Sequence, residues 1–128
     1  MNANEVIANR AIEILGGTKG DYSVVHPNDH VNMSQSTNDV IPTAGKITVL
    51  KLLPQTIKEL EKLEKAMEEK EAEFDDILKM GRTQLQDAVP MRLGQSFGAF
   101  AHVLKRDIKR LKNVMDEMKV LNIGATAE

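Results

Sequence analysis

Large apolar side chains recur at alternating intervals of three and four residues along two long parts of the chain, which is the spacing of one helix face. The first series predicts a helix from about Asp39 to Phe74, and the second predicts a helix from about Pro90 to Leu121. Two long helices joined by a loop are expected to pack antiparallel. The first series contains Leu50, Leu53, Ile57, Leu60, Met67 and Phe74, and the second contains Phe97, Ala101, Leu104, Ile108, Leu111, Met115 and Met118.

Two acidic residues interrupt the apolar series of the first predicted helix, which also contains two prolines. Glu64 and Glu71 occupy two steps of its apolar series, so the stripe is imperfect and Leu63 is expected to share the packing. Pro42 is expected in the first turn, where a backbone N–H has no helical partner in any case. Pro54 removes an interior hydrogen bond and is expected to kink the helix.

Shorter elements are predicted on either side of the long helices. The segment from Asn4 to Leu15 has helical spacing, and Gly16 and Gly17 are expected to end that helix. Residues 18–34 are rich in turn-forming residues and are expected to be irregular. Residues 75–89 lose the helical period and are interpreted as an extended connector.

The composition narrows the class of protein. The 128 residues suit one ordinary domain or a piece of a larger protein. The 17 basic and 19 acidic residues nearly balance, which argues against a nucleic-acid partner. The sequence has no Cys, and no apolar run approaches the roughly 20 residues that span a bilayer, so a cytoplasmic protein without a membrane partner is expected. Many Leu and Ile, seven Met and few aromatic residues favour an all-α fold of packed helices.

Charge is distributed unevenly between the two long helices. Lys58 to Asp76 contains nine acidic and four basic residues, and Lys105 to Lys112 contains five basic residues and one acidic residue. Solvated helix faces are the favoured interpretation, and the alternative is that these faces lie near each other or near partner helices. Because one neighbouring helix cannot cover either apolar stripe, self-association or additional chain is expected.

A polar stretch precedes the first long helix and contains two histidines four residues apart. His26 and His30 flank Asp29, a spacing that could bind a metal on a helix. Pro27 and Asn28 disfavour a helix here and no third ligand is placed, so no metal site is expected. Capping of backbone groups is the favoured interpretation, and binding of an anion is the alternative.

Two further polar segments each come before a predicted helix. In "SQSTND", Ser34 to Asp39, one residue is expected to cap the helix, but consecutive hydroxyl and amide groups at a helix N-terminus also form a carboxylate site. Spacing alone favours neither interpretation. In "GRTQLQDAVP", Gly81 to Pro90, an ordinary connector with Asp87 as a cap is expected.

Together, "HPNDHVNMSQSTNDVIPT" and "GRTQLQDAVP" resemble the first and second motif regions of the aspartase/fumarase superfamily, in the right order and at suitable separation. "MNANEVIANRAIEILGG" is similar to the segment before the first motif. Thr37 resembles the aspartase branch of this superfamily, since fumarate hydratases usually have Ser-Ser-Asn-Asp where this sequence has Ser-Thr-Asn-Asp. Gln84 lies where the hydratases and some aspartases have His, and other aspartases have Gln there, so it is compatible with an aspartase and argues against a hydratase. The resemblance implies a long-helix bundle fragment that belongs to a twenty-helix homotetramer, with a short N-terminal helix and an irregular polar loop.

The resemblance also implies a reaction, the anti elimination of ammonia from L-aspartate to give fumarate, without a cofactor. Ser36 and Thr37 would bind the β-carboxylate of the substrate. Asn38 and Thr83 would contact its amino group, with Gln84 close by. A secondary anion site described for the hydratases is the weaker assignment, and its residues would be His26, Asn28 and Asp29.

The resemblance further implies an internal fragment that is inactive in isolation. A third family motif, a Gly-Ser-Ser loop with the catalytic Ser base and a substrate-binding Lys, does not occur among the printed residues. Residues 1–38 would then be the end of an N-terminal domain and residues 39–128 the start of the central helical-bundle domain. The alternatives are a fumarate hydratase or another superfamily lyase, or a non-catalytic helical oligomerisation module.

Overall fold

The computed structural model describes residues 1–124, and most of them are helical. Helix α1 spans Asn2–Ile14, a short π-helical turn spans Pro27–Val31, helix α2 spans Thr37–Glu73 and helix α3 spans Leu93–Glu117. Between α2 and α3 lie strands β1, Leu78–Thr83, and β2, Gln86–Arg92. The predicted fold of two long helices with a short N-terminal helix is confirmed.

The chain divides into two compact units. The first contains Met1–Gly45 and the described residues from Leu121 onward, and the second contains Lys46–Val120. Helix α2 contributes residues to both units. The predicted division of the chain after residue 38 stays a prediction.

In the first unit, α1 ends where the two glycines were expected to end it. The N–H of Gly17 donates to the carbonyl of Ile12 at 2.9 Å, and Gly16 adopts a φ of 80°, which a residue without Cβ adopts at little cost. Ala8 and Ile12 of α1 are completely buried. The Asn9 side chain accepts from the N–H of Gly20 at 2.7 Å and so holds the loop that follows the helix.

In the second unit, α2 and α3 run antiparallel, as predicted. The rings of Phe74 and Phe97 lie 5.3 Å apart at one end of the pair. Further along, the Lys112 ammonium donates to the Glu61 carboxylate at 2.6 Å. This ion pair shows that the acidic and basic faces meet at one point, although both side chains remain about half exposed to solvent. The apolar core of this unit contains Ile57, Ala101 and Ile108.

The presence of Glu71 in the apolar stripe of α2 is explained by the neighbouring helix α3. Glu71 occupies an apolar step of α2, and α3 places Gly98 directly against its carboxyl group. Gly94, one turn earlier, meets the Glu71 carbonyl of α2 and the backbone of Asp75, two residues after the end of α2. Because neither glycine has a Cβ, the acidic side chain fits into a close helix contact.

The predicted connector over residues 75–89 is a β-hairpin, and the predicted start of the second helix at Pro90 is wrong. Pro90 pairs with Met80 in the antiparallel ladder, and α3 begins at Leu93. A two-stranded sheet consists of edge strands only, so a residue without an N–H fits in it. The register shifts between Met80 and Arg82, so that Ala88 and Val89 of β2 lie opposite Gly81 of β1 and form a bulge in β2.

Helix α2 begins two residues earlier than expected. Pro42 therefore lies five residues after Thr37, beyond the first turn, and the prediction that it lies in the first turn is wrong. The helix continues through Pro54 to Glu73, and the kink at Pro54 stays a prediction. Within residues 1–124, the structure contains no helix that is long and apolar enough to cross a membrane.

Candidate functional site

The N-terminal end of α2 is closed by a reciprocal pair of side-chain hydrogen bonds. The Ser36 hydroxyl oxygen accepts from the N–H of Asn38 at 3.2 Å, and the Asp39 carboxylate accepts from the N–H of Ser36 at 3.0 Å. Asp39 is only 4% exposed, and its negative charge is favourable at the positive end of the helix dipole. Ser36 is thus the cap of α2, so one of the predicted substrate contacts also has a structural task.

The two residues that follow the cap are differently placed. The side chains of Thr37 and Asn38 are exposed, and neither makes a hydrogen bond within residues 1–124. The backbone N–H of Thr37 is also without a partner in that range. Within residues 1–124, a hydroxyl, an amide and an N–H without partners therefore lie next to each other at a helix N-terminus, where an anion is favoured.

The backbone before the cap has an unusual conformation. Ser34 has a φ of 55°, in the left-handed region that side chains rarely adopt. Behind this turn lies a cavity of about 300 Å³ with a mostly apolar wall. The hydroxyl oxygen of Thr43 is buried and lacks a hydrogen-bond partner in the described part of the chain. The cavity is lined by Ser34, Gln35, Asp39, Val40, Thr43 and Ile123.

The His26 turn belongs to the same unit and is organised by its imidazoles. Nδ1 of His26 accepts from the N–H groups of Asn28 and Asp29 at 3.3 and 3.2 Å, and Nδ1 of His30 accepts from the N–H of His26 at 2.8 Å. A nitrogen accepts only when its ring proton is on Nε2. A carboxylate oxygen of Asp29 also lies 3.2 Å from Nδ1 of His26. The favoured interpretation, backbone capping, agrees with this geometry.

Thr83 and Gln84 lie in the second unit, at the tip of the hairpin. Both side chains are exposed and neither makes a hydrogen bond among the described residues. Gln84 is the first residue of the two-residue turn between Thr83 and Gln86, with a φ of 54°. Asp87 pairs with Arg82 across the hairpin. The prediction that Asp87 caps the next helix is wrong. Arg92 is the N-cap of α3, and its N–H donates to the side-chain oxygen of Gln95 at 2.9 Å.

The structure therefore gathers the predicted residues in two groups. Ser36, Thr37 and Asn38 lie in the first unit with the His26 turn, and Thr83 and Gln84 lie in the second. One residue that the sequence analysis missed is Asn122, whose amide donates to the Asn38 carbonyl at 2.6 Å. The sequence did contain one signal that the Asn38 carbonyl needs another donor. Pro42, four residues after Asn38, has no N–H to donate to it.

Among the described residues, a carboxyl group with a shifted pKa lies on α1. A hydrogen bond from the Lys19 ammonium, at 2.9 Å, lowers the pKa of the exposed Glu13 carboxyl below its usual value, and Arg10 acts in the same direction. These side chains form a surface ion-pair cluster.

Comparison with known proteins agrees with the two motifs. The family model described as "Lyase" matches residues 1–128. The chain is 58% identical over 127 residues to aspartate ammonia-lyase of Bacillus subtilis and 50% identical over 127 residues to that of Escherichia coli K12. Both alignments cover 99% of this chain but 27% of the relative, so the chain spans about a quarter of the length of these curated relatives.

Solved structures agree as well. The cobalt-bound fumarate lyase:delta crystallin of Brucella melitensis has a TM-score of 0.88 and 55% identity, over 99% of this chain and 28% of that one. The class II fumarase of Schistosoma mansoni has a TM-score of 0.84 and 36% identity, over 98% of this chain and 26% of that one. The predicted resemblance is thereby confirmed, and the chain belongs to the lyase family.

Proposed function

We propose that the chain forms substrate-binding parts of an aspartate ammonia-lyase, which eliminates ammonia from L-aspartate to give fumarate. The observation that carries the proposal is the arrangement after the cap of α2. There the side chains of Thr37 and Asn38 are exposed and make no hydrogen bond within residues 1–124. The relatives named aspartate ammonia-lyase, at 50–58% identity, support this activity over that of the fumarase, at 36%.

In the proposed complex, the end of α2 binds the β-carboxylate of the substrate. The Thr37 hydroxyl and the Thr37 N–H both donate, and the helix dipole adds a favourable partial charge. The Ser36 hydroxyl can donate its proton while its oxygen still accepts from Asn38 N–H, because a hydroxyl has one donor and two acceptor positions. These donors become more valuable as negative charge accumulates on the β-carboxylate after loss of the Cβ proton.

The amino group of the substrate is assigned to acceptors. Asn38 offers an amide oxygen and Thr83 a hydroxyl oxygen, and both can accept from an ammonium group. Gln84, which is close to the amino group in this proposal, has an amide that does not titrate. A His at that position could transfer a proton, as water addition to fumarate would require. Gln84 therefore supports elimination of ammonia over hydration.

The base that removes the Cβ proton is assigned to the Gly-Ser-Ser motif of the family, which does not occur among the printed residues. In the elimination, the Cβ–H electron pair becomes the new double bond and the Cα–N bond breaks, so that ammonia leaves. We propose that this chain binds the substrate and stabilises charge, while the base comes from the Gly-Ser-Ser motif.

We also propose a homotetramer in the cytoplasm and a second anion site at the His26 turn. Association is supported by exposed apolar residues, among them Leu52 and Phe100 on the long helices and Leu85 at the hairpin tip, which is 90% exposed. The anion site is supported by the orientation of His26, whose Nδ1 faces the N–H groups of Asn28 and Asp29 and whose Nε2 lies on the opposite side of the ring.

The test is an assay of the full-length protein with L-aspartate, with L-malate, and with fumarate plus ammonia. The wild type should form fumarate from L-aspartate and should turn over L-malate poorly. Asn38→Ala should lose about 1.5–3 kcal/mol of binding to a charged group, or about 10- to 150-fold in kcat/KM.

The matched control is Asn113→Ala, since Asn113 is an exposed residue of α3 whose side chain makes no hydrogen bond in the described range. Its kcat/KM should equal that of the wild type. Malate turnover rivalling aspartate turnover in the wild type would overturn the proposed activity. An unaffected Asn38→Ala variant would remove Asn38 from the site.

A further inference from the structure

The carbonyl of Asn38 lies where α2 cannot provide its own hydrogen-bond donor. In an α-helix, the carbonyl of one residue accepts from the N–H four residues later. For Asn38 that residue is Pro42, which has no N–H and whose ring crowds the carbonyl four residues before it. The regular helical bond is therefore impossible at Asn38, and its carbonyl can accept from a donor outside the helix.

Asn122 provides that donor. Its side-chain amide, Nδ2, donates to the Asn38 carbonyl at 2.6 Å, across 84 positions of sequence. The next residue, Ile123, lines the cavity shared with Val40 and Thr43 of α2, so the segment after α3 is seated beside the first turns of α2. The segment after α3 therefore contacts the start of α2 at two points, through Asn122 and through Ile123.

We propose that Asn122 is a positioning residue for the substrate site. By replacing the N–H that Pro42 lacks, its amide holds the helical turn that carries Thr37 and Asn38. This inference rests on the proposed function, in which those two side chains contact the substrate. Hydrogen bonds to a substrate tolerate only a few tenths of an ångström, so a loosened turn weakens them although no contacting side chain has changed.

The experiment restores the missing donor within the helix. In the full-length protein, Asn122→Ala should lower kcat/KM for L-aspartate about tenfold. Pro42→Ala introduces an N–H opposite the Asn38 carbonyl and should stay within about twofold of the wild type. The double variant Pro42→Ala/Asn122→Ala should return to within about threefold of Pro42→Ala, because the helix then satisfies its own carbonyl.

Two controls separate this explanation from a general loss of structure. Pro54→Ala also restores an N–H inside α2, but to the carbonyl of Leu50, so it should not rescue Asn122→Ala. Asn122→Asp keeps the shape of the side chain and removes the donor, so it should be impaired at least as much as Asn122→Ala. Circular dichroism on each variant checks that helix content is retained.

The wild type, Asn122→Ala, Pro42→Ala and the double variant are also compared by thermal unfolding, which needs no substrate. Asn122→Ala should lower the Tm, and Pro42→Ala should remove that difference in the double variant. If the wild type fails to convert L-aspartate, the proposed function fails, and the Tm comparison still decides whether Asn122 supports the Asn38 carbonyl. Full activity and full stability of Asn122→Ala, or a double variant as impaired as Asn122→Ala in both measurements, overturns the inference.

Discussion

The N-terminal end of α2 and the tip of the β1–β2 hairpin both present predicted substrate contacts to solvent, but different bonds hold them. Each contains a non-glycine residue in the left-handed region, Ser34 at a φ of 55° and Gln84 at a φ of 54°. At the end of α2, the side chains of Ser36, Asp39 and Asn122 satisfy the backbone.

The hairpin tip relies on its strands instead. The backbone ladder brings Thr83 opposite Gln86, and the absence of a Cβ at Gly81, opposite the bulge in β2, lets the two strands approach closely. Substitutions at the end of α2 should therefore act through individual hydrogen bonds. Substitutions in the hairpin should act through steric clashes and through backbone conformation. The following predictions test this difference, from the largest expected effect to the smallest.

The largest effect is expected for Gly81→Ala. A Cβ at Gly81 would lie 2.8 Å from the Val89 carbonyl oxygen and 3.2 Å from the sulfur of Met91, so the strands would have to separate. We expect a loss of about 2 kcal/mol in the free energy of unfolding, measured by urea titration. The control is Gly45→Ala, where a Cβ meets nothing within 4 Å and should stabilise α2 by about 0.5–1 kcal/mol. Equal effects of both substitutions would contradict the steric explanation.

Ser36→Ala should have the next largest effect, because it removes the acceptor for the Asn38 N–H. A lost N-cap costs about 1 kcal/mol, whereas Ser36→Gly should cost only a few tenths of that in the same urea titration. If Ala and Gly prove equivalent at this position, capping is not the structural role of Ser36.

Gln84→Gly should separate stability from function. Glycine adopts a positive φ without the cost of a side chain, so the variant should gain about 0.5–1 kcal/mol in the free energy of unfolding. It should also lose activity on L-aspartate, because the amide is gone. The neighbouring substitution Leu85→Gly, at a turn position with ordinary φ, should lower stability instead. A stabilised Leu85→Gly variant would contradict this account of the turn.

The smallest effect is expected for Asp87→Asn, which breaks the ion pair with Arg82. Both side chains are more than half exposed, so the pair should contribute about 0.5 kcal/mol or less, and the difference should vanish at high salt. Thermal unfolding at low and high salt measures it. A larger, salt-independent loss would show that Asp87 supports the hairpin in another way.

The sequence by itself determined the features that depend on local spacing. The apolar period identified both long helices, and Gly16 and Gly17 marked the end of α1. Helix capping was expected within "SQSTND", because short hydroxyl and carboxyl side chains reach the free backbone groups of a helix they precede. The motif pair identified the family because each motif combines many residues of specific type in a fixed order.

Tertiary structure alone decided the rest. Residues 78–92 form a hairpin although their turn, Gln84 and Leu85, lacks the Asn or Gly that usually marks one, because the paired strands outweigh the cost of a positive φ at Gln84. The acceptance of Glu71 in an apolar stripe depends on Gly98 of another helix. The partner of the Asn38 carbonyl, Asn122, lies 84 positions away, and only the folded chain brings a donor to a carbonyl that Pro42 leaves without one.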